Sequence, residues 1–400
     1  MIPQRPIQLS QTLPPLLWDV FCKVIDNHGD LGVCWRLSSQ LASLGHQVRL
    51  WVDHPEALSW MAPKGHSGVT VMPWQGADDF NLGLLNTLTR AHVWLETFGC
   101  GLPDHFVSHG RLSSTPTTHP PVWLNLEYLS AEPYVERSHL LPSPISCGAG
   151  QGLTRRFFYP GFTPRTGGLL KEPDLQTKQN RFNRNPWLAH WGIELKPHER
   201  VVSLFCYEPV ALPQLLGMLS SQGHTGLQTP TRLLVTYGRA TTATRAALQA
   251  PALPKSMRIS PDLQIIYLPA LSQTDYDHLL WASDINFVRG EDSWVRALLA
   301  GKPMVWQAYP QDDTAHFAKL DAFLDWSDAP MDVRHLHLAW NDLAMGTASP
   351  PWHLLDVQGE SHQRWLEWVS QVKGRLMATE DLVTQLLRVV QADVKLTLQP

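Results

Sequence analysis

Two doubly wound α/β domains, each on a mostly parallel sheet, are the fold class that the 400-residue sequence predicts. Three observations lead there. A strand, helix and strand follow one another close to the N-terminus. Five strand and helix pairs alternate without interruption from Arg200 onward. Between these series lies a stretch rich in Gly, Pro, Arg and Asn, residues 142–197, that reads as a connection. Uninterrupted alternation of strands with helices is the pattern of a parallel sheet covered on both faces.

"WDVFCKVID" (Trp18–Asp26) alternates Val20, Cys22 and Val24 with other residues and predicts a strand. "LGVCWRLSSQLASLG" sets Val33, Leu37, Leu41 and Leu44 on one helical face and stops at Gly45. "HQVRLWVD" is a short strand ending in Asp53. Such a unit, completed within roughly 35 residues, favours a right-handed parallel crossover. "AHVWLETF" and "PPVWLNLEYLS" read as later strands of the same sheet, and "GAGQGLTRRFFYPGFTPRTGG" as a long loop. "KQNRFNRNPW" reads as part of the interdomain connection.

In the second series the expected strands are "RVVSLFCYE", "TRLLVTYG", "LQIIYLPALS", "DINFVRG" and "KPMVWQA". Each is followed by an amphipathic helical stretch. The tail is mostly helical. The expected division gives residues 1–183 to a first Rossmann-like domain and 184–375 to a second. A C-terminal helix, about residues 376–400, packs back on the first domain.

Composition narrows the function. Hydrophobic residues make up 44% and charged residues 17%, a globular balance. A net charge of −4 gives no electrostatic reason to expect nucleic acid or an anionic membrane as partner. The longest apolar runs fall short of a membrane span, and the N-terminus lacks a basic start followed by an apolar core, so a cytoplasmic location is expected. The five cysteines are scattered without a CxxC pair, which points to a reducing compartment and away from a zinc cluster. His335 and His337 form an H-x-H without acidic or thiol partners nearby, and a surface or packing role is preferred to metal binding. Most of the 17 Trp are expected in the core or at the domain interface.

Ligands of open parallel sheets bind at the carboxyl ends of the strands. Two stretches fall there. In "FVRGEDSWVRALLAGKPMV" (Phe287–Val305), Arg289 and Gly290 close a strand, and Glu291, Asp292 and Ser293 open a helix. Free backbone N–H groups at that start suit a diphosphate, with Arg289 adding charge and Ser293 a hydroxyl. The acids there could equally be a helix cap. Phe205 and Tyr207 in "LFCYEP" share a strand face, Gln273 follows the "LPALSQ" loop, and "QAYPQDD" (Gln307–Asp313) ends a further strand in polar residues. The second stretch is "VIDNHGDLGVCWRL" (Val24–Leu37), where Asp26 ends the first strand and Asp30 precedes the helix. Either the two acids form a turn bond and a cap, or they orient and deprotonate an acceptor.

Together "FCKVIDNHGDLGVCWRL", "LFCYEP" and "FVRGEDSWVRALLAGKPMVWQAYPQDD" resemble the signature stretches of the elongation factor P arginine rhamnosyltransferases, the EarP family. The resemblance runs from about Trp18 to about Val390. It implies two Rossmann-like domains facing a cleft, the GT-B type of inverting glycosyltransferase, with the acceptor and catalytic base on residues 1–183 and the nucleotide sugar on 184–375. It implies transfer of L-rhamnose from dTDP-β-L-rhamnose to an arginine of translation elongation factor P, without a metal or other cofactor. The family's functional residues fall on Asp26, Asp30 and Glu291, with Asp30 as the base. Its nucleotide contacts fall on Phe205, Tyr207, Gln273, Arg289, Asp292 and Ser293. His28 and Trp294 depart from the family pattern, where an aromatic and a Phe are expected, and residues 1–17 are an extension. Two other readings stay open on the sequence: a two-Rossmann sugar-nucleotide enzyme with a small acceptor, and a noncatalytic translation-factor-binding protein.

Overall fold

A computed structural model describes residues 14–25, 28–74, 82–85, 87–111, 120–220, 229–249, 262–311, 315–342 and 349–398. The first sheet has strands β1 (Leu17–Cys22), β2 (Gln47–Val52), β3 (Val69–Pro73), β4 (Val93–Thr97), β5 (Val122–Leu126), β6 (Pro142–Pro144) and β7 (Thr154–Phe158). Their order is β3-β2-β1-β4-β5-β7-β6, parallel throughout except for β6, which runs antiparallel to β7. With it go helices α1 (Gly29–Ser43), α2 (Leu58–Met61), α3 (Leu82–Leu85), α4 (Asp104–Arg111) and α5 (Pro133–Ser138). Val20, Leu50, Leu95 and Leu124 are fully buried between neighbouring strands and α1.

The expected long loop at residues 148–168 contains β7, paired in parallel with β5. Two adjacent arginines hid it. Arg155 leaves the sheet to meet Glu96 at 3.1 Å, and Arg156 meets Asp393 at 3.2 Å. A strand bearing Arg-Arg between Gly-rich turns shows no apolar alternation, yet ion pairs let both charges flank the sheet. The connecting segment is ordered as α6 (Leu175–Arg181) and α7 (Arg184–His190), and Asn183 caps α7 by accepting from the Asn185 N–H at 3.3 Å.

The second sheet has β8 (Arg200–Leu204), β9 (Thr231–Val235), β10 (Leu263–Tyr267), β11 (Ile285–Arg289) and β12 (Met304–Gln307), in the order β10-β9-β8-β11-β12 and all parallel. Its helices are α8 (Leu212–Ser220), α9 (Arg239–Gln249), α10 (Gln273–Ala282), α11 (Asp292–Ala300), α12 (Ala315–Trp326) and α13 (Met331–Trp340). Those from α8 to α12 fall where the alternation in the sequence puts them, whereas α13 occupies a stretch where no element is expected. Trp294 and Trp306 stack at 3.7 Å in this core, and Trp340 and Trp365 are fully buried there. His337 is likewise buried, with Nδ1 donating to the Val333 carbonyl at 2.9 Å, while His335 one half-turn away is exposed. The two histidines diverge and serve packing and surface.

The helical tail is two helices, α14 (Glu360–Ala378) and α15 (Leu382–Leu398). Trp368, Val369 and Val372 of α14 belong to the second core, whereas Leu382, Val383, Leu386 and Val390 of α15 belong to the first. The Lys171 ammonium donates to the carbonyls of Leu376 and Thr379, both at 2.5 Å, and so satisfies the open end of α14. Among the described residues no helix is long and apolar enough to cross a membrane.

Candidate active site

In the second sheet the chain reverses its winding between neighbouring strands β8 and β11. A parallel sheet opens a crevice at such a switch point, at the carboxyl ends of the strands. Residues just beyond both strands line a cavity of about 250 Å³ that α1 and α2 of the first domain close from the other side. Phe205, Tyr207, Gln273, Arg289, Glu291, Asp292 and Ser293 all line it.

Arg289 ends β11 and is 8% exposed. Its guanidinium lies 4.4 Å from the ring of Phe205 and 4.4 Å from that of Tyr207. Cation–π contact on two rings fixes the side chain without using its hydrogen-bond donors. Nη1 is buried and has no protein partner. Tyr207 also meets Arg239 at 4.7 Å, which Glu208 holds at 2.8 Å. The N–H of Tyr207 is tied to Gln307 Oε1 at 2.8 Å, so the loop after β8 is anchored to β12.

Helix α11 begins directly after this arginine. Gly290 turns the chain with φ of 64°, a left-handed value that glycine adopts at little cost. Glu291 stands at the N-cap but forms no side-chain cap bond. Its carboxylate instead accepts from the Leu129 N–H at 2.6 Å and lies 3.4 Å from Lys319 Nζ. Asp292 pairs with Arg36 of α1 at 3.2 Å. Burial pushes both carboxyls up, against the pull of Lys319 on Glu291 and of Arg36 on Asp292. The acids that looked like a cap therefore have cationic partners from other elements, and the first N–H groups of α11 are left uncapped by them. The Ser293 hydroxyl donates to the Arg289 carbonyl and accepts from its N–H at 3.2 Å, so it braces the strand end.

Gln273 opens α10 behind the Ser272 cap, and its amide donates to the Gly32 carbonyl at 2.9 Å. Asp30 lies within the first turn of α1, one residue past its start, and is 3% exposed. It does not cap the helix. Oδ2 accepts from the Ile25 N–H at 2.9 Å, which ties down the loop after β1, and Oδ1 lies 3.4 Å from the Tyr128 hydroxyl. Tyr128 stacks on Phe98 at 4.5 Å, with Lys319 5.7 Å over its ring. Tyr128 and Lys319 thus stand between Asp30 of one domain and Glu291 of the other. Asp26 lies outside the described residues, as do Asp312 and Asp313. His28 stands edge-on to Trp60 at 5.4 Å and keeps a ring at that place in the cavity wall, while Trp294 serves the core.

Arg36, Tyr128, Lys319 and Arg239 escape a reading by motif. Arg36 carried a signal all the same: it is a charged residue inside the apolar run "VCWRLSS", four residues after a glycine.

Two Rossmann-type sheets, with an arginine and a helix start at the switch point of the second, have the architecture of a two-domain glycosyltransferase. Solved glycosyltransferase structures share the fold: the glycotransferase of kitacinnamycin (TM-score 0.50, 15% identity, 95% of this chain and 99% of that one) and spinosyn forosaminyltransferase SpnP (TM-score 0.50, 9% identity, 94% and 99%). Within that class, residues 18–391 match the family described as Elongation-Factor P (EF-P) rhamnosyltransferase EarP, and the chain belongs to it. The protein-arginine rhamnosyltransferase of Pseudomonas aeruginosa is 39% identical over 368 residues, 88% of this chain and 94% of its own length. That of Pseudomonas putida is 39% identical over 389 residues, 92% and 97%. A solved structure described as the structural basis for EarP-mediated arginine glycosylation of translation elongation factor EF-P superposes with a TM-score of 0.59 at 28% identity, covering 94% of this chain and 99% of that one.

Proposed function

We infer that this chain is an inverting glycosyltransferase that moves L-rhamnose from dTDP-β-L-rhamnose to an arginine side chain of translation elongation factor P. The observation that carries the donor half is Arg289. It is a buried guanidinium with an unpartnered Nη1, held between two rings beside the start of α11. A diphosphate suits that place, because the helix start offers backbone N–H groups and positive potential, and the arginine adds charge. Phe205, Tyr207, Gln273 and Ser293 shape the site, and Asp292 enters it already paired with Arg36.

The acceptor half rests on Asp30, which approaches Glu291 of the other domain through Tyr128 and Lys319. A guanidinium has a pKa above ~12 and is a poor nucleophile until its proton is taken. Asp30 is the base in this reading, with Asp26 and Glu291 orienting the cation. The guanidinium nitrogen attacks the anomeric carbon, the bond to the β-phosphate oxygen breaks, and dTDP leaves with the electron pair towards Arg289. Asp30 takes the proton, and one displacement inverts the anomeric centre. No metal or other cofactor enters the scheme, since Arg289 and the helix start supply the charge. The free cysteines fit a cytoplasmic location, and neither nucleic acid nor membrane is a partner.

The test is mass spectrometry of elongation factor P incubated with this protein and dTDP-β-L-rhamnose. The expected result is the gain of one deoxyhexose on one arginine. An unchanged acceptor with an intact donor would overturn the reading, and donor consumed with the acceptor unchanged would redirect it to a small acceptor.

A further inference from the structure

Helix α1 meets the second domain at Gly32 and Arg36, and the connecting segments at Gln40, along one stripe. Gly32, Arg36 and Gln40 are spaced by four residues and share a helical face. At Gly32 the approach is close: a Cβ there would lie 3.3 Å from the Gln273 amide nitrogen and 3.5 Å from Asp292 Oδ2. At Gln40 the amide donates to the Lys171 carbonyl at 3.2 Å and to Asp381 at 3.0 Å. Arg36 is the charged member and is 7% exposed. Its Nη1 and Nη2 take Asp277 at 3.1 and 3.0 Å, and its Nε lies 3.2 Å from Asp292.

Asp277 does not depend on Arg36. Arg296, from α11 itself, holds Asp277 at 2.9 and 2.7 Å and Glu172 at 2.7 Å. Asp292 differs, because its hydrogen-bonded cation comes from the other domain. It also stands in the first turn of α11, beside Arg289, where a carboxylate without a counter-charge would repel a phosphate. Glu291, the neighbouring acid, has its own cation in Lys319. Both acids at the mouth of the helix thus have their hydrogen-bonded cation from outside it, with Arg296 of α11 adding a second positive charge near Asp292.

We propose that Arg36 is a positioning residue for donor binding: by pairing with Asp292 across the cleft it keeps the start of α11 open to a nucleoside diphosphate. Because the pair bridges the two domains, this hydrogen-bonded compensation depends on the packing of α1 against α11. The inference rests on the donor reading above.

The experiment measures calorimetric affinity for dTDP alone, on the full chain, with melting temperature recorded for each variant. Arg36→Gln is expected to bind at least about tenfold more weakly, the lower range for loss of a close charge pair. In an Asp292→Asn background, adding Arg36→Gln is expected to change affinity by less than about threefold, because the charge that Arg36 compensates is gone. A role in folding alone would lower the melting temperature and give the same loss in both backgrounds. A folded Arg36→Gln protein with parental affinity overturns the proposal, and so does a tenfold loss when Arg36→Gln is added to Asp292→Asn. Should Arg36→Gln fail to fold, Arg36→Lys keeps the charge: affinity near the parent supports the proposal, and a tenfold loss overturns it. If the parent protein itself does not bind dTDP, it is the donor reading that fails.

Discussion

The guanidinium of Arg289 lies 4.4 Å from the ring of Tyr207, which Arg239 also meets at 4.7 Å, so one tyrosine contacts two cations at the mouth of the second sheet. Arg239 is neutralised by Glu208, whereas Arg289 keeps a buried Nη1 without a protein partner. Arg289→Ala should therefore weaken dTDP-sugar binding by roughly 1.5–3 kcal/mol, the scale of a charge-assisted hydrogen bond. Calorimetry decides it; equal affinities for parent and variant would remove Arg289 from the donor site.

Asp30 separates chemistry from shape. It bonds the Ile25 N–H and does not cap α1, and an Asn in its place can still accept that bond. Asp30→Asn should keep the melting temperature and donor affinity while transfer falls by roughly 100-fold or more, the usual scale for loss of a general base. Single-turnover transfer to elongation factor P, measured beside both controls, checks it. Near-normal transfer would leave Asp30 a loop tie.

Chelation tests the charge scheme. If Arg289 and the start of α11 carry the leaving diphosphate, donor binding and transfer should persist in excess EDTA. Activity abolished by the chelator and restored by magnesium would replace that scheme with a metal-assisted one.

Acid sensitivity should follow His337. Burial lowers its pKa from the ordinary 6.5 to about 4, so the folded protein holds it neutral. A depressed folded pKa gives stability that is complete above about pH 6.5 and is lost as pH falls through about 4. The loss is on the order of 3 kcal/mol. His337→Gln, which cannot gain the proton, should flatten the fall in melting temperature between pH 7 and 4. Parallel curves for the two proteins would show that His337 does not set the acid limb.

Local regularity explains what could be read early. The strands of the second domain and its helices α8 to α12 fall where hydrophobic alternation and helical spacing put them, because both periods are written in neighbouring residues. Strand β7 broke the rule, since its arginines are stabilised by Glu96 and Asp393, which lie far away in the chain. The lining of the cavity by Phe205, Tyr207, Gln273, Arg289, Glu291, Asp292 and Ser293 was also legible, because parallel sheets present their strand ends on one side.

By itself the sequence determined two doubly wound domains, the strand ends that face the cleft, and the motifs that mark the family. Only the tertiary structure decided how the charges pair. Asp292 meets Arg36 across 256 residues of chain, Glu291 meets Lys319 and the backbone of Leu129, and Asp30 turns back to Ile25. A carboxylate at a helix start reads the same in sequence whether it caps the helix, holds a ligand or answers a distant arginine. The choice among these depends on which cation the folded chain brings within about 4 Å, and that distance is set by the packing of α1 on α11, not by any local preference.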